Sequence, residues 1–164
     1  MTSIALKRPE RNRCRSKVTA ERIRDKIAAS KKKGLWMGGT LPLGYDRHPD
    51  PQRRELVVNA DEAGTVRQLF DLYARLGNLR LVEAEADRLA LRPKIGITPA
   101  GLHRGAGPFT RGQLHYLLMN PVYIGRIRHK ENTYPGQHPP IIETPLWDEV
   151  QARLIAARAR PRGR

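Results

Sequence analysis

The chain has 164 residues, enough for one domain with a substantial core, and 31 Lys and Arg against 16 Asp and Glu leave it at +15. A single cysteine, Cys14, excludes an internal disulfide framework and a cysteine-rich zinc site. No apolar run approaches membrane-spanning length and no secretory leader is visible, so a cytoplasmic protein with a polyanionic partner is expected.

Residues 1–17 read as a basic tail without regular structure. Thr19 then offers an N-cap, and Ala20, Ile23, Ile27 and Ser30 recur at the spacing of one helix face. Arg22, Arg24, Lys26 and the run Lys31, Lys32, Lys33 cover the remaining circumference. Gly34 can take the left-handed conformation that ends such a helix. The nearly charge-free connector that follows, up to Leu43, contains Gly38, Gly39 and Trp36, the last placed to contact either DNA or a neighbouring domain. A cationic rod that continues into a slim, glycine-bearing segment suits a polyanion with a narrow groove. A helix that merely faces solvent would carry more acid than Glu21 and Asp25.

Two extended runs, Leu43 to Asp46 and Glu55 to Asn59, flank the turn-rich RHPDPQRR and predict a β-hairpin. Asn59 caps the next helix, with Glu62 at the reciprocal position of a capping box and Val66, Leu69, Phe70, Tyr73 and Leu76 as its buried stripe. Gly77 stops that helix and Asn78 starts another, whose Val82, Ala86 and Leu89 share a face that ends near Pro93. The Gly/Pro-rich stretch 93–109 is too long for an ordinary connection and is expected to track along nucleic acid through Lys94, His103 and Arg104.

Thr110 and Gln113 make a capping box, with Phe109 and Leu114 as a hydrophobic staple. Leu114, Leu117 and Leu118 face the core of this short helix, which Asn120-Pro121 ends. Arg111 and His115, four residues apart, then share the open side, where long donors could reach base edges in a major groove. A surface Arg and His with no partner is the plainer reading of the same two residues. Tyr123 to Lys130 alternates as a strand, with Arg126 and Arg128 on one face, and His138 to Ile142 is its expected antiparallel partner. Thr144 is expected to cap the last helix with Pro145 in its first turn, and Leu146, Val150 and Leu154 form its apolar face with Trp147 a core anchor. The fold class is α+β: a basic N-terminal helix and Gly-rich connector lead into a mostly helical domain with small β-hairpins.

Charge is placed unevenly along these elements. Residues 1–33 hold twelve Lys or Arg against three acids, and residues 151–164 hold five Arg and none, while the 117 residues between carry fourteen bases and thirteen acids. Within that middle, residues 46–90 net −2, residues 92–138 net +6 and residues 139–150 net −3. One face of the middle should be electropositive and the ends extend its field, the footprint of a nucleic-acid binder. Binding to a membrane surface would require a stronger apolar stripe than Ile23 and Ile27 provide.

ERIRDKIAASKKKGLWMGGTLPLGYD, RELVVNADEAGTVRQLFDLYARLG, PFTRGQLHYLLMNPVYIGRIRHK and IIETPLWDEVQARL, in that order, resemble the recombinase domain of the large serine recombinases, the family of phage integrases and related transposases. The resemblance covers roughly residues 18–157. It implies a DNA-binding module: a helix laid over the crossover site, a connector following the minor groove, and a recombinase-type domain from 44 to 157. The divisions expected are a tail at 1–17, helix plus connector at 18–43, the domain at 44–157 and an Arg-rich tail at 158–164. The DNA-contacting set would be Arg22, Lys26, Lys31, Lys32, Lys33, Trp36, Gly38, Gly39, His103, Arg104, Thr110, Arg111, His115, Arg126 and Arg128.

The family's nucleophile lies in an Arg-Val-Ser type motif, which has no match here; Ser3 and Ser16 sit in the polar tail and Ser30 on the basic helix. No catalytic residue, metal ligand or cofactor is therefore expected, and the catalytic domain and zinc ribbon of the family are taken to be missing, as in a truncated or rearranged gene. The implied partners are double-stranded DNA of attachment-site type and an intact serine recombinase, in the nucleoid of the cytoplasm. The alternative is a basic RNA-binding or ribosome-associated protein, distinguished by preference for A-form RNA at matched salt. An enzyme acting alone on nucleic acid would need a clustered site, and His48, His103, His115, His129 and His138 show no metal-ligand spacing.

Overall fold

The computed structural model describes residues 10–97, 103–105 and 107–159, with the side chains of 10–18, Ile97, His103 and Arg104 left outside the description. The first helix, α1, spans Glu10–Lys32 and so begins nine residues before Thr19. Thr19 is interior to it and cannot be its cap. No Gly or Pro interrupts the sequence from Glu10 to Lys33, and Arg, Lys and Glu favour helix, which explains the upstream extension over part of the expected tail. Its other end closes as expected. Gly34 adopts φ 76, its N–H donates to Lys31 O (3.0 Å) and the Leu35 N–H donates to Ser30 O (3.1 Å), the paired bonds of a Schellman motif.

Strands β1 (Tyr45–Arg47) and β2 (Leu56–Val58) pair antiparallel with Tyr45 opposite Val58, giving the expected hairpin. Helix α2 (Ala60–Leu76) follows. Asn59 caps it through the Glu62 N–H, and Gly77 stops it at φ 61. The capping box is only half made, because Glu62 Oε2 accepts instead from the Gly44 N–H (2.9 Å) and Lys94 Nζ (2.7 Å). Val66, Leu69, Phe70 and Tyr73 are buried with Ala63 and Leu72, whereas Leu76, at the stripe's edge in the last turn, is exposed. Helix α3 (Leu79–Arg88) starts at its Asn78 cap and buries Val82 and Ala86. Leu89 is exposed, not buried. The chain turns at Ala90 (φ 54), and Leu91, whose N–H returns to Ala86 O, packs against the core in its place.

The stretch 93–109 is not without structure. Gly96–Ile97 (β3) pairs with His103–Arg104 (β4), Gly96 opposite Arg104. Lys94 anchors its base: Nζ donates to Asp46 Oδ1 and Glu62 Oε2, both at 2.7 Å, and to Tyr45 O at 3.1 Å. Burial draws the Lys94 pKa down, but the bonds to the two carboxylates outweigh it and hold the group charged above its ordinary value. The expectation that Lys94 faces nucleic acid is thus replaced by a strut joining β1, α2 and the β3–β4 hairpin.

Helix α4 (Arg111–Leu118) carries the complete Thr110–Gln113 capping box and buries Leu114, Leu117 and Leu118. Pro121–Ile124 then forms a 3₁₀ turn that Gly125 closes at φ 73. Tyr123 is therefore in that turn, and the strand β5 starts later, at Arg126–His129. Its partner is β6 (Asn132–Pro135), with His129 opposite Asn132, and not His138 to Ile142. Lys130 adopts φ 55, so the chain reverses within two residues, before the sequence can reach His138.

Helix α5 (Thr144–Ala159) has Thr144 as its first helical residue and not as its cap, the Trp147 N–H donating to Glu143 O. It buries Trp147, Val150 and Leu154, with Leu146 partly covered, and packs on α2. One core joins all of this. Phe70 meets Tyr123 and Trp147 with ring centroids 5.8 and 5.9 Å apart. Gln151 Nε2 donates to Leu118 O at 2.7 Å, tying α5 to the end of α4. The architecture is α+β, with three two-stranded antiparallel sheets among the described residues.

Candidate nucleic-acid interface

The end of α1 is fixed to the β5–β6 hairpin. A Cβ on Gly34 would collide with Pro135 O, the Gln137 N–H donates to Gly34 O (3.1 Å), and Gln137 Nε2 donates to Lys33 O (2.9 Å). The connector leaves from this point over the protein. The Trp36 N–H donates to Arg54 O at 2.7 Å and the indole packs half-buried against the core, its Nε1 without a partner among the described residues. Trp36 thus contacts its own domain. Gly38 and Gly39 follow at φ 90 and 105 with open space where a Cβ would stand, a conformation costly for other residues.

Between the end of α1, the connector, α4 and β5 lies a groove of about 680 Å³. Lys31, Arg126, Arg128 and Lys130 supply its charge, Trp36 to Gly38 one wall, and Gly112, His115, Tyr116 and Met119 the open face of α4. No carboxylate among the described residues lines it. Slight loss of solvent, and then the positive field of Lys31, Lys130 and Lys32, hold the His129 pKa below its ordinary value where α1 meets β5. Such a surface can take phosphate oxygens from cationic side chains and approach bases or sugars closely at its glycines.

Of the residues singled out in the sequence, Lys31, Trp36, Gly38, His115, Arg126 and Arg128 are brought together here. Arg22 and Lys26 are exposed farther back along α1, and Lys32, Lys33 and Gly39 are exposed beside the groove without lining it. Thr110 is occupied as a cap, its Oγ1 accepting from the Gln113 N–H. Arg111 turns to the other side of α4 and pairs with Glu83 at 3.5 Å. His103 and Arg104 form β4, and their side chains lie outside the description. Sequence reading missed Gly112, Tyr116 and Lys130. Tyr116 is 72% exposed, and Gly112, Tyr116 and Met119 fall at helical spacing on the face opposite the leucines, a pattern that was available beforehand.

The fold and groove define a small basic α+β module. The Recombinase family model matches residues 60–156, and the chain belongs to that family. The fold is similar to a crystal structure of a large serine recombinase (LSR)–DNA complex, with TM-score 0.69 and 19% identity over 86% of this chain and 41% of that one. It is also similar to a structure from work on the sequence requirements of the Listeria innocua prophage attP site, with TM-score 0.66 and 19% identity over 82% of this chain and 51% of the other. The chain therefore spans about half or less of the length of these structures. No curated protein matches it. Among the described residues no helix is long and apolar enough to cross a membrane.

Proposed function

We propose that this chain is the DNA-binding recombinase domain of a site-specific serine recombinase, and that it holds attachment-type duplex DNA in the groove between α1, the connector, α4 and β5. The lining of that groove, free of carboxylates among the described residues, with Lys31, Arg126, Arg128 and Lys130 converging on it, carries the reading. Family membership supports it. On this reading the exposed lysines at the end of α1 neutralise phosphates, Gly38 and Gly39 let the connector lie in a minor groove, and the Gly112–Tyr116 face of α4 enters the adjacent major groove. Residues 44–157 act as the DNA-binding domain, with the end of α1 as its extension, and an intact serine recombinase is a partner on the same DNA. The protein works at the nucleoid.

Titration of binding against salt tests this. With about 6 phosphates neutralised, the log-log slope on a duplex should be about −5, and Lys31→Ala/Arg126→Ala/Arg128→Ala should flatten it by ~2 to 3 units. A slope unchanged in the variant, or tighter binding to A-form RNA than to duplex DNA at matched salt, would refute the assignment.

A further inference from the structure

Arg111 belongs to a second cleft, of about 970 Å³, on the opposite flank of α4. The start of α3 and the last turns of α5 close it, and Arg80, Arg111, His115 and Arg158 are its polar side chains beside Asn78 and Tyr73. Among the described residues no carboxylate lines this cleft either; the nearest counter-charge identified is Glu83, 3.5 Å from Arg111. Arg80 and Arg158 are exposed and neither pairs with a carboxylate among the described residues. The Arg158 guanidinium instead reaches across the gap from α5 to α4, donating to Met119 Sδ at 3.2 Å and lying 3.4 Å from His115 Nε2. Three guanidiniums set against one carboxylate leave a strong local positive field, and guanidinium forks match phosphate oxygens in geometry as well as charge.

We propose that this cleft clamps backbone phosphates of the duplex on the flank of α4 away from β5. The inference rests on the reading of α4 as the helix that enters the major groove. A helix with its side chains is about 10–12 Å across and the major groove about 12 Å wide, so a seated helix meets a phosphate wall on each side. Arg126 and Arg128 face one wall. Arg80, Arg111 and Arg158 face the other, and His115, which lines both clefts, makes the two surfaces continuous around α4. Arg111 thereby becomes a phosphate-positioning residue and not a reader of base edges. An acidic protein segment could satisfy the same charges, but nothing would then place its site in line with the groove across α4.

The test uses the full chain, a duplex recovered by selection from a random library, and a random-sequence duplex of equal length. Arg80→Ala/Arg158→Ala should weaken binding to both by the same factor and flatten the salt slope by about 2 units, one for each lost phosphate contact. Ethylation of single phosphates should expose positions that block the wild-type protein and no longer affect the variant. Arg80→Lys/Arg158→Lys should recover most of the slope, which separates lost charge from any loss of fold. A wild-type slope and ethylation pattern in the Ala variant, with Lys31→Ala/Arg126→Ala/Arg128→Ala still impaired, would overturn the clamp and leave the DNA-binding reading standing. Absence of duplex binding by the wild-type chain would remove both.

Discussion

His138 shows how one side chain links distant parts of this chain and makes its stability depend on pH. It is 5% exposed, and its Nε2 lies 2.7 Å from Val122 O, a carbonyl that can only accept, so that nitrogen carries the proton. The Tyr45 hydroxyl donates into the same knot, to Pro139 O at 2.8 Å, and its ring meets the His138 ring edge-on. Burial lowers the His138 pKa, only partly opposed by the bond to Val122. A folded pKa below the unfolded value of about 6.5 means that the contribution is complete above that value and is lost as pH falls through the folded one. Urea unfolding should therefore show a midpoint that drops from pH 7.5 to 5, with a smaller drop in His138→Gln; parallel curves would show that His138 is not responsible. Asp46, whose bonds to Lys94 and Asn59 depress its pKa, adds its loss only at more acidic pH. None of this knot was legible beforehand. A histidine with no spacing partner in sequence reveals nothing of a bond to a carbonyl sixteen residues away or of a tyrosine from β1.

Many helix ends, by contrast, could be read from sequence, though not the start of α1, which lies nine residues before Thr19. Asn59, Gly77, Asn78, Gly34 and the Thr110–Gln113 box act within four or five residues of themselves, so local chemistry decides them. What could not be read was which side of an element meets which neighbour: Arg111 faces Glu83 of α3 because the two helices pack, and β5 pairs with β6 because the chain reverses at Lys130. The consequence for α4 is that its most exposed large side chain on the groove side is Tyr116. Tyr116→Ala should leave the melting temperature unchanged and cost about 1–3 kcal/mol on the selected duplex, with much less loss on random DNA. Equal losses on the two duplexes would show that this face of α4 does not read bases.

At the scale of the whole molecule, one core supports both basic clefts. Phe70 is fully buried between Tyr123 of the 3₁₀ turn and Trp147 of α5, and α5 in turn carries Arg158 while the turn leads into Arg126. Phe70→Ala should cost about 3–5 kcal/mol in chemical unfolding, through lost burial and the cavity left behind. A cost below about 1 kcal/mol would mean that the two sides are not held by a common core. The sequence divides naturally at the shift from connector to hairpin near Leu43, yet the packing does not respect that line. Gly34 is wedged against Pro135, and Lys33 and Gly34 are both hydrogen-bonded to Gln137. A graft of this module onto a different protein should accordingly be spliced within α1, upstream of Lys31. A junction at residue 44 would discard the joint that sets the angle between the rod and the body it steers.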